Sequence, residues 1–252
     1  MSALDDFLAA PGIEDIKTAL FVQPHPDDNQ IGAGGLIAKL VDSGAEVYEL
    51  TVCDDRFVDL GYNGEGLTTR QKEVMAAQEK LGMKNAGFLG FADKTRAGIE
   101  EISDAILPVI RKIRPDAVFS VDSSVPNECH SDHIKVGQAV KYACMDSECA
   151  FYPEYIDGKP RDDAFTVPIL GFYYTDKPNT IINITDYYDK KMEAVGCHES
   201  QTSLPLMVAI GALAEKWGEQ KGYDYAEAFK LIGSIHMHCF PFEVAEKIKG
   251  GF

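Results

Sequence analysis

Ala19-Leu20-Phe21-Val22-Gln23-Pro24-His25-Pro26-Asp27-Asp28 is the stretch that decides the fold. Four consecutive apolar residues read as a strand covered on both faces, and the two prolines turn the chain out of it. The turn carries one imidazole and two carboxylates, so groups able to bind metal or move protons stand at the C-terminal edge of a sheet. Open α/β folds hold their ligands at that edge.

Downstream, residues 31–43 place their apolar side chains on one helical stripe that Gly44 stops, and the next strand is Glu46-Val47-Tyr48-Glu49-Leu50-Thr51-Val52. The opening is therefore a βαβ unit, for which parallel pairing and a right-handed crossover are the default. Thr68, with Gln71 three residues on, predicts a capping box for a helix that runs through Leu81 and ends at Gly82. A short strand at 86–90 follows, then a helix at 99–113 broken by Arg114-Pro115. A strand at 117–121 leads to a helix capped by Ser131 and reaching about Cys144. Four alternations of strand and helix predict an α/β, Rossmann-like, doubly wound and mostly parallel sheet with helices on both faces.

After Cys149 the pattern changes to a Pro- and Gly-punctuated loop, then strands at 169–175 and 180–184 joined by a turn at 176–179. Helices are expected at 185–197, 206–221 and 223–232. They lead to a tail in which His236 and His238 alternate as in a strand. The whole reads as one domain over 1–252: a core at about 17–150 and a C-terminal strand and helix extension at about 151–252. Gly32, Gly34 and Gly35 lack the order of a dinucleotide-binding loop and fit close helix packing better.

His25 and Asp28 are three residues apart in a turn, so their side chains can converge on one point while Asp27 approaches from another side. Zinc in a hydrolase takes three protein ligands and keeps one position open. The missing ligand is expected from His130-Ser131-Asp132-His133, which begins the helix after the fourth strand. In the common strand order 3-2-1-4-5 the first and fourth strands are neighbours, so the two loops face each other over a crevice. One of the two histidines would complete a His₂Asp site. Asp132 either orients a histidine or simply occupies a first helical turn, where a carboxylate is favourable. No Ser stands in a GxSxG elbow, which disfavours a serine hydrolase.

Forty acidic against 24 basic residues give a net charge of −16, so nucleic acid and anionic membrane surfaces are not expected partners. The first residues, Met1-Ser2-Ala3-Leu4-Asp5-Asp6, lack the pattern of a secretory leader, and no apolar run is long enough to span a bilayer. Six scattered cysteines without a CxxC pair read as reduced thiols, which together with these features predicts a cytoplasmic protein.

Gln23-Pro24-His25-Pro26-Asp27-Asp28, Ile31-Gly32-Ala33-Gly34-Gly35, Arg70-Gln71-Lys72-Glu73 and His130-Ser131-Asp132-His133 together resemble the PIG-L/LmbE-like family of zinc-dependent de-N-acetylases. Gly171-Phe172-Tyr173-Tyr174-Thr175-Asp176-Lys177-Pro178-Asn179 and His198-Glu199-Ser200-Gln201 are similar to the diacetylchitobiose (N-acetylglucosamine) deacetylase branch. The resemblance implies one zinc per subunit on His25, Asp28 and His133, with Asp27 as general base. His130 would stabilise the oxyanion or protonate the leaving amine. It implies substrate contacts for Arg70, whose alternative is an ion pair with Glu73 on its own helix, and for Asp93, whose alternative is a turn-forming role. His238 is a further candidate, in its own subunit or a neighbour's, and Arg56 another from the loop after the second strand. His198 would pack a helix end near the site.

Asn29 stands where many members carry Glu, so a role for that acid does not transfer. The expected reaction is removal of acetyl from N-acetylglucosamine or a small saccharide such as diacetylchitobiose, by a homo-oligomer, trimer or hexamer. The alternatives are a deacetylase of another N-acetylglucosamine conjugate, a thiol-cofactor precursor or antibiotic intermediate, and a non-enzymatic Rossmann-like sugar- or nucleotide-binding domain.

Overall fold

The computed structural model describes residues 11–54, 62, 64–154 and 158–238. Its centre is β1 (Thr18–Gln23), which pairs in parallel with β2 (Glu46–Cys53) on one side and β4 (Ala117–Val121) on the other. β3 (Lys84–Phe91) adds in parallel to β2 and β5 (Ile169–Tyr173) to β4. The seven-stranded order is β3-β2-β1-β4-β5-β7-β6, so the doubly wound α/β sheet is present and the two loops of the expected site are adjacent.

Alternation along β1 explains why both faces are covered. Ala19 and Phe21 pack with Leu36 and Ile37 of α1 (Asp28–Asp42), Ala77 and Leu81 of α2 (Thr69–Leu81) and Ala194 of α5 (Tyr188–Gly196). Leu20 and Val22 pack with Ile102, Ile106 and Ile110 of α3 (Ile99–Ile113) and Val136 and Val140 of α4 (Ser131–Asp146). Such a strand leaves no face for water, which is why its sequence is a continuous apolar run. The capping box of Thr68 and Gln71 forms as expected, and Gly82 closes α2 in the left-handed conformation. Close packing accounts for the glycines of α1. A Cβ on Gly32 would stand 2.2 Å from the Tyr173 ring and one on Gly35 2.7 Å from Ile184.

Two expectations fail. The segment 223–232 is not a helix but β7 (Ala226–Gly233), antiparallel to both β5 and β6 (Thr180–Asn183). Its Ala, Glu, Lys and Leu favour helix in isolation, but inserted between two strands it buries Ala226, Glu227, Phe229 and Leu231, and tertiary pairing overrides propensity. Residues 176–179 consequently carry the chain across β7 instead of closing a hairpin. Nor do His236 and His238 lie in a strand. Residues Ser234–His236 form a 3₁₀ turn, where His236 Nδ1 accepts from Gly233 N at 3.1 Å. α6 (Leu204–Glu219) lies over β7. No helix among the described residues is long and apolar enough to cross a membrane.

Candidate active site and metal centre

α1 begins at Asp28, so the turn His25–Asp27 hangs directly from a helix N-terminus. Asp28 Oδ2 accepts from His25 N at 2.9 Å and lies 3.4 Å from His25 Nδ1, which folds the turn back upon itself. Across the crevice His133 Nε2 comes within 3.4 Å of Asp28 Oδ1. Two imidazoles thus flank the two oxygens of one carboxylate. Burial alone would raise the Asp28 carboxyl, but hydrogen bonds from His133 and His25 overcome it and hold the group far below the ordinary carboxylate range. Burial would lower His133, and its bond to Asp28 raises it instead.

Each imidazole is held on its other nitrogen. His25 Nε2 stands 3.2 Å from Asp132 Oδ2 and 3.4 Å from Asp93 Oδ1. Asp132 is fully buried and accepts from Lys94 N at 2.7 Å and Thr95 N at 3.1 Å. Asp132 thus lies in the first turn of α4 and also within hydrogen-bond distance of His25. His133 Nδ1 meets Glu128 Oε2 at 3.0 Å, and Glu128 Oε1 accepts from His130 N at 2.7 Å. Carboxylates in this position fix tautomer and ring orientation and raise ligand basicity. His25, His130 and His133 form one cluster that could hold a metal ion, and His25, Asp93, His130 and Asp132 another.

His130, not Ser131, caps α4: its Nδ1 accepts from Asp132 N at 3.3 Å. With Nδ1 occupied as an acceptor, the neutral ring carries its proton on Nε2. Burial, then the neighbouring His25 and His133, depress its pKa and keep it neutral. The ring lies edge-on to His25 at 4.6 Å between centroids.

Asp27, beside this cluster in the chain, is paired with Arg70. Its Oδ2 pairs with Arg70 Nη2 at 2.8 Å, and the same nitrogen donates to Pro26 O at 2.8 Å. Arg70 therefore makes no pair with Glu73, whose carboxylate accepts from Ser200 N and Oγ at 2.7 Å each. Tyr174 O–H donates to Asp28 O at 3.2 Å and its ring stacks on His133 with centroids 6.3 Å apart. His198 is 1% exposed, and burial together with the Arg70 charge pushes it down to about 4, so it sits near the site as a neutral ring.

The remaining candidates separate. Asp93 is at the rim, beside His25. His238 lines a cleft with Cys144, Met145 and Glu148, at the C-terminal end of α4 and so away from the crevice at its N-terminus. Arg56 lies outside the described residues.

A family model described as GlcNAc-PI de-N-acetylase, PIG-L, matches residues 20–144. The chain is 34% identical over 248 residues to a diacetylchitobiose deacetylase of Thermococcus kodakarensis, covering 94% of this chain and 91% of that one. It belongs to the PIG-L family of de-N-acetylases.

Other PIG-L relatives extend the comparison. A probable N-acetyl-alpha-D-glucosaminyl L-malate deacetylase of Bacillus cereus is 29% identical, covering 75% of this chain and 86% of the relative. The solved N,N'-diacetylchitobiose deacetylase of Pyrococcus horikoshii, in complex with an inhibitor, superposes with a TM-score of 0.78 at 30% identity, over 91% of this chain and 88% of that one. The PIG-L motifs are the residues that meet in the crevice, but three partners escaped the sequence reading. Glu128 had a signal, an acid five residues before His133 in the same loop. Glu49 had another, a charged residue inside a buried strand. The pairing of Arg70 with Asp27 had none, because it joins two loops far apart in sequence.

Proposed function

We propose that this protein is a zinc-dependent amidohydrolase that removes the N-acetyl group from N-acetylglucosamine or from a small saccharide such as diacetylchitobiose, releasing acetate and the free amine. The observation that carries the reading is the meeting of the two loops: His25 Nδ1 and His133 Nε2 each contact one oxygen of Asp28, and His25, His130 and His133 cluster closely enough to hold a metal ion, beside an Asp27 paired with Arg70. Two imidazoles and one carboxylate are the donor set that a hydrolytic zinc ion uses while keeping a position open. A zinc ion there would supply Lewis acidity toward the acetamide carbonyl and bring the pKa of a coordinated water to roughly 7.

The chain's own residues do the rest. Asp27 takes a proton from the attacking water, with Arg70 fixing its direction. His130, neutral with its proton on Nε2, donates a hydrogen bond toward the oxygen on which negative charge develops, and the proton that Asp27 took from the water passes to the departing nitrogen. Asp132 and Glu128 keep the two ligand rings in place. Asp93 stands at the rim, where it can accept from sugar hydroxyls. Arg70 pairs with Asp27, and the substrate contact that the resemblance implies for it is a second role of the same guanidinium.

The chain is read as one domain and as a homo-oligomer, a trimer or hexamer. Leu204, Val208 and Leu213 of α6 support this, being 78%, 62% and 53% exposed. His238 would reach an active site only from a neighbouring subunit. A cytoplasmic location is supported by the free thiols of Cys129, Cys144, Cys149 and Cys197. The test is acetate release by the zinc-loaded protein from diacetylchitobiose, N-acetylglucosamine and N-acetylglucosaminyl malate in parallel. Turnover of the first two is expected, and inactivity on all three refutes the reading.

A further inference from the structure

Beneath the first turn of α1 lies a carboxyl that the reaction outlined above does not use. Glu49, in the middle of β2, is fully buried, and its partners are amides: Asn29 Nδ2 at 3.1 Å and Gln30 Nε2 at 2.7 Å on Oε2, and Gln78 Nε2 at 3.0 Å on Oε1. Asn29 and Gln30 directly follow Asp28 in the chain. Asn29 is held from the other side as well, since its Oδ1 accepts from Tyr173 O–H at 2.8 Å. Its backbone N–H donates to Gln23 Oε1 at 3.0 Å, an oxygen that Asp27 N also approaches at 3.5 Å.

The loop needs such support. Asp27 has φ 150° and ψ −25°, a region that side-chain-bearing residues rarely adopt. Conformations of this kind cost on the order of 1–3 kcal/mol and persist only where the surroundings over-determine them. A carboxylate suits the task because it is acceptor-only and takes several donors at once. A glutamine at the same place would turn its own N–H₂ against Gln78 or against Asn29 and Gln30, and the amide it faces would have to rotate. Burial pushes the Glu49 carboxyl up to about 7, so the group is kept at a cost to stability. Departures of that sort from local stability concentrate at functional sites.

We propose that Glu49 is a positioning residue for the metal and base loop, acting through Asn29 and Gln30 on the first turn of α1 and so on Asp27 and Asp28. The inference rests on the deacetylase reading. It concerns a residue that touches neither substrate nor metal.

The test compares the zinc-loaded wild type, Glu49→Gln and the double variant Asn29→Glu/Glu49→Gln, which exchanges carboxylate and carboxamide across the 3.1 Å contact. kcat, KM on diacetylchitobiose, circular dichroism and zinc affinity are measured. Glu49→Gln should keep its fold and a KM within about twofold of wild type, lose roughly 10–100-fold in kcat, and regain most of that loss in the exchange variant. A purely structural role would move the melting temperature and leave kcat per folded molecule unchanged. Wild-type kcat in Glu49→Gln, or no recovery on exchange, overturns the proposal. Inactivity of the wild type itself overturns the deacetylase reading instead. Zinc affinity then decides for Glu49: about a tenfold loss restored by the exchange supports it, and equal affinities in all three proteins overturn it.

Discussion

Glu128 Oε2 stands 3.0 Å from His133 Nδ1, on the opposite edge of the imidazole from Nε2, which faces Asp28. With its other oxygen on His130 N, one side chain fixes both histidines of the loop. A carboxylate so placed holds the ring with Nε2 free to ligate and raises its basicity. Replacing Glu128 by Gln should therefore weaken zinc binding roughly 10–100-fold while changing kcat at saturating zinc far less. Competition against a chromophoric chelator measures the affinity, and an unchanged value would show the contact to be incidental.

Asp27 and Arg70 make the complementary prediction, lost turnover with retained metal. Asp27→Asn removes the proton acceptor but none of the groups that converge on Asp28, so the variant should bind zinc as the wild type does. Its kcat should fall by roughly 10²–10⁴-fold, the usual contribution of a positioned general base. Arg70→Lys keeps a cation but cannot hold Asp27 and the Pro26 carbonyl together in the same planar geometry, so an intermediate kcat is expected. Zinc content by elemental analysis separates both variants from a collapsed site. Near-normal acetate release by Asp27→Asn would remove it as the base.

The strand and helix alternation up to Asp146 was legible because each element carries its own period and its own stop signal, as with Thr68, Gln71 and Gly82 around α2. β7 was not, because nothing local marks Ala226-Glu227-Ala228-Phe229 as a strand. Its reason is tertiary: Glu227 reaches across to pair with Lys191 at 2.7 Å and accepts from Gly35 N and Leu36 N at 2.8 Å each. The same distinction runs through the site. That His25, Asp28 and one of His130 and His133 would meet could be expected from two motifs on neighbouring strands, with His133 singled out only by the family resemblance, whereas the partner of Arg70 depends on how α2 leans toward the first loop. Glu73, the alternative partner on its own helix, instead accepts from Ser200.

His198 has a folded-state pKa of about 4 against an ordinary 6.5, because burial and then Arg70 disfavour its charged form. Between these values the unfolded chain binds a proton that the folded protein refuses, so stability falls as pH drops through that window. The loss approaches about 3 kcal/mol below pH 4. Phe at this position cannot titrate and should flatten the acid side of the stability curve. Urea midpoints of both proteins at pH 4.5 and 6.5 give the comparison, and parallel slopes would contradict it.

Glu49 tilts the same curve the other way. Its folded pKa of about 7 exceeds the ordinary 4.5, so the folded protein retains a proton that the unfolded chain has already released. Unfolding free energy should fall as pH rises from 4.5 to 7, by an amount on the order of 3 kcal/mol. Facing Glu49 are the uncharged amides of Asn29, Gln30 and Gln78 and, beyond Asn29, the Tyr173 hydroxyl, which titrates well above its usual range. His133, raised by Asp28, loses its own stabilisation in the neutral range, and the depressed Asp28 acts only in acid. Both groups are retained in Glu49→Gln, so their own titrations largely cancel in the difference between variant and wild type, which is dominated by Glu49. In metal-free protein the variant should gain on the wild type steadily from pH 5 to pH 8, read as the separation of their urea midpoints. A constant separation would mean that Glu49 does not titrate in this interval.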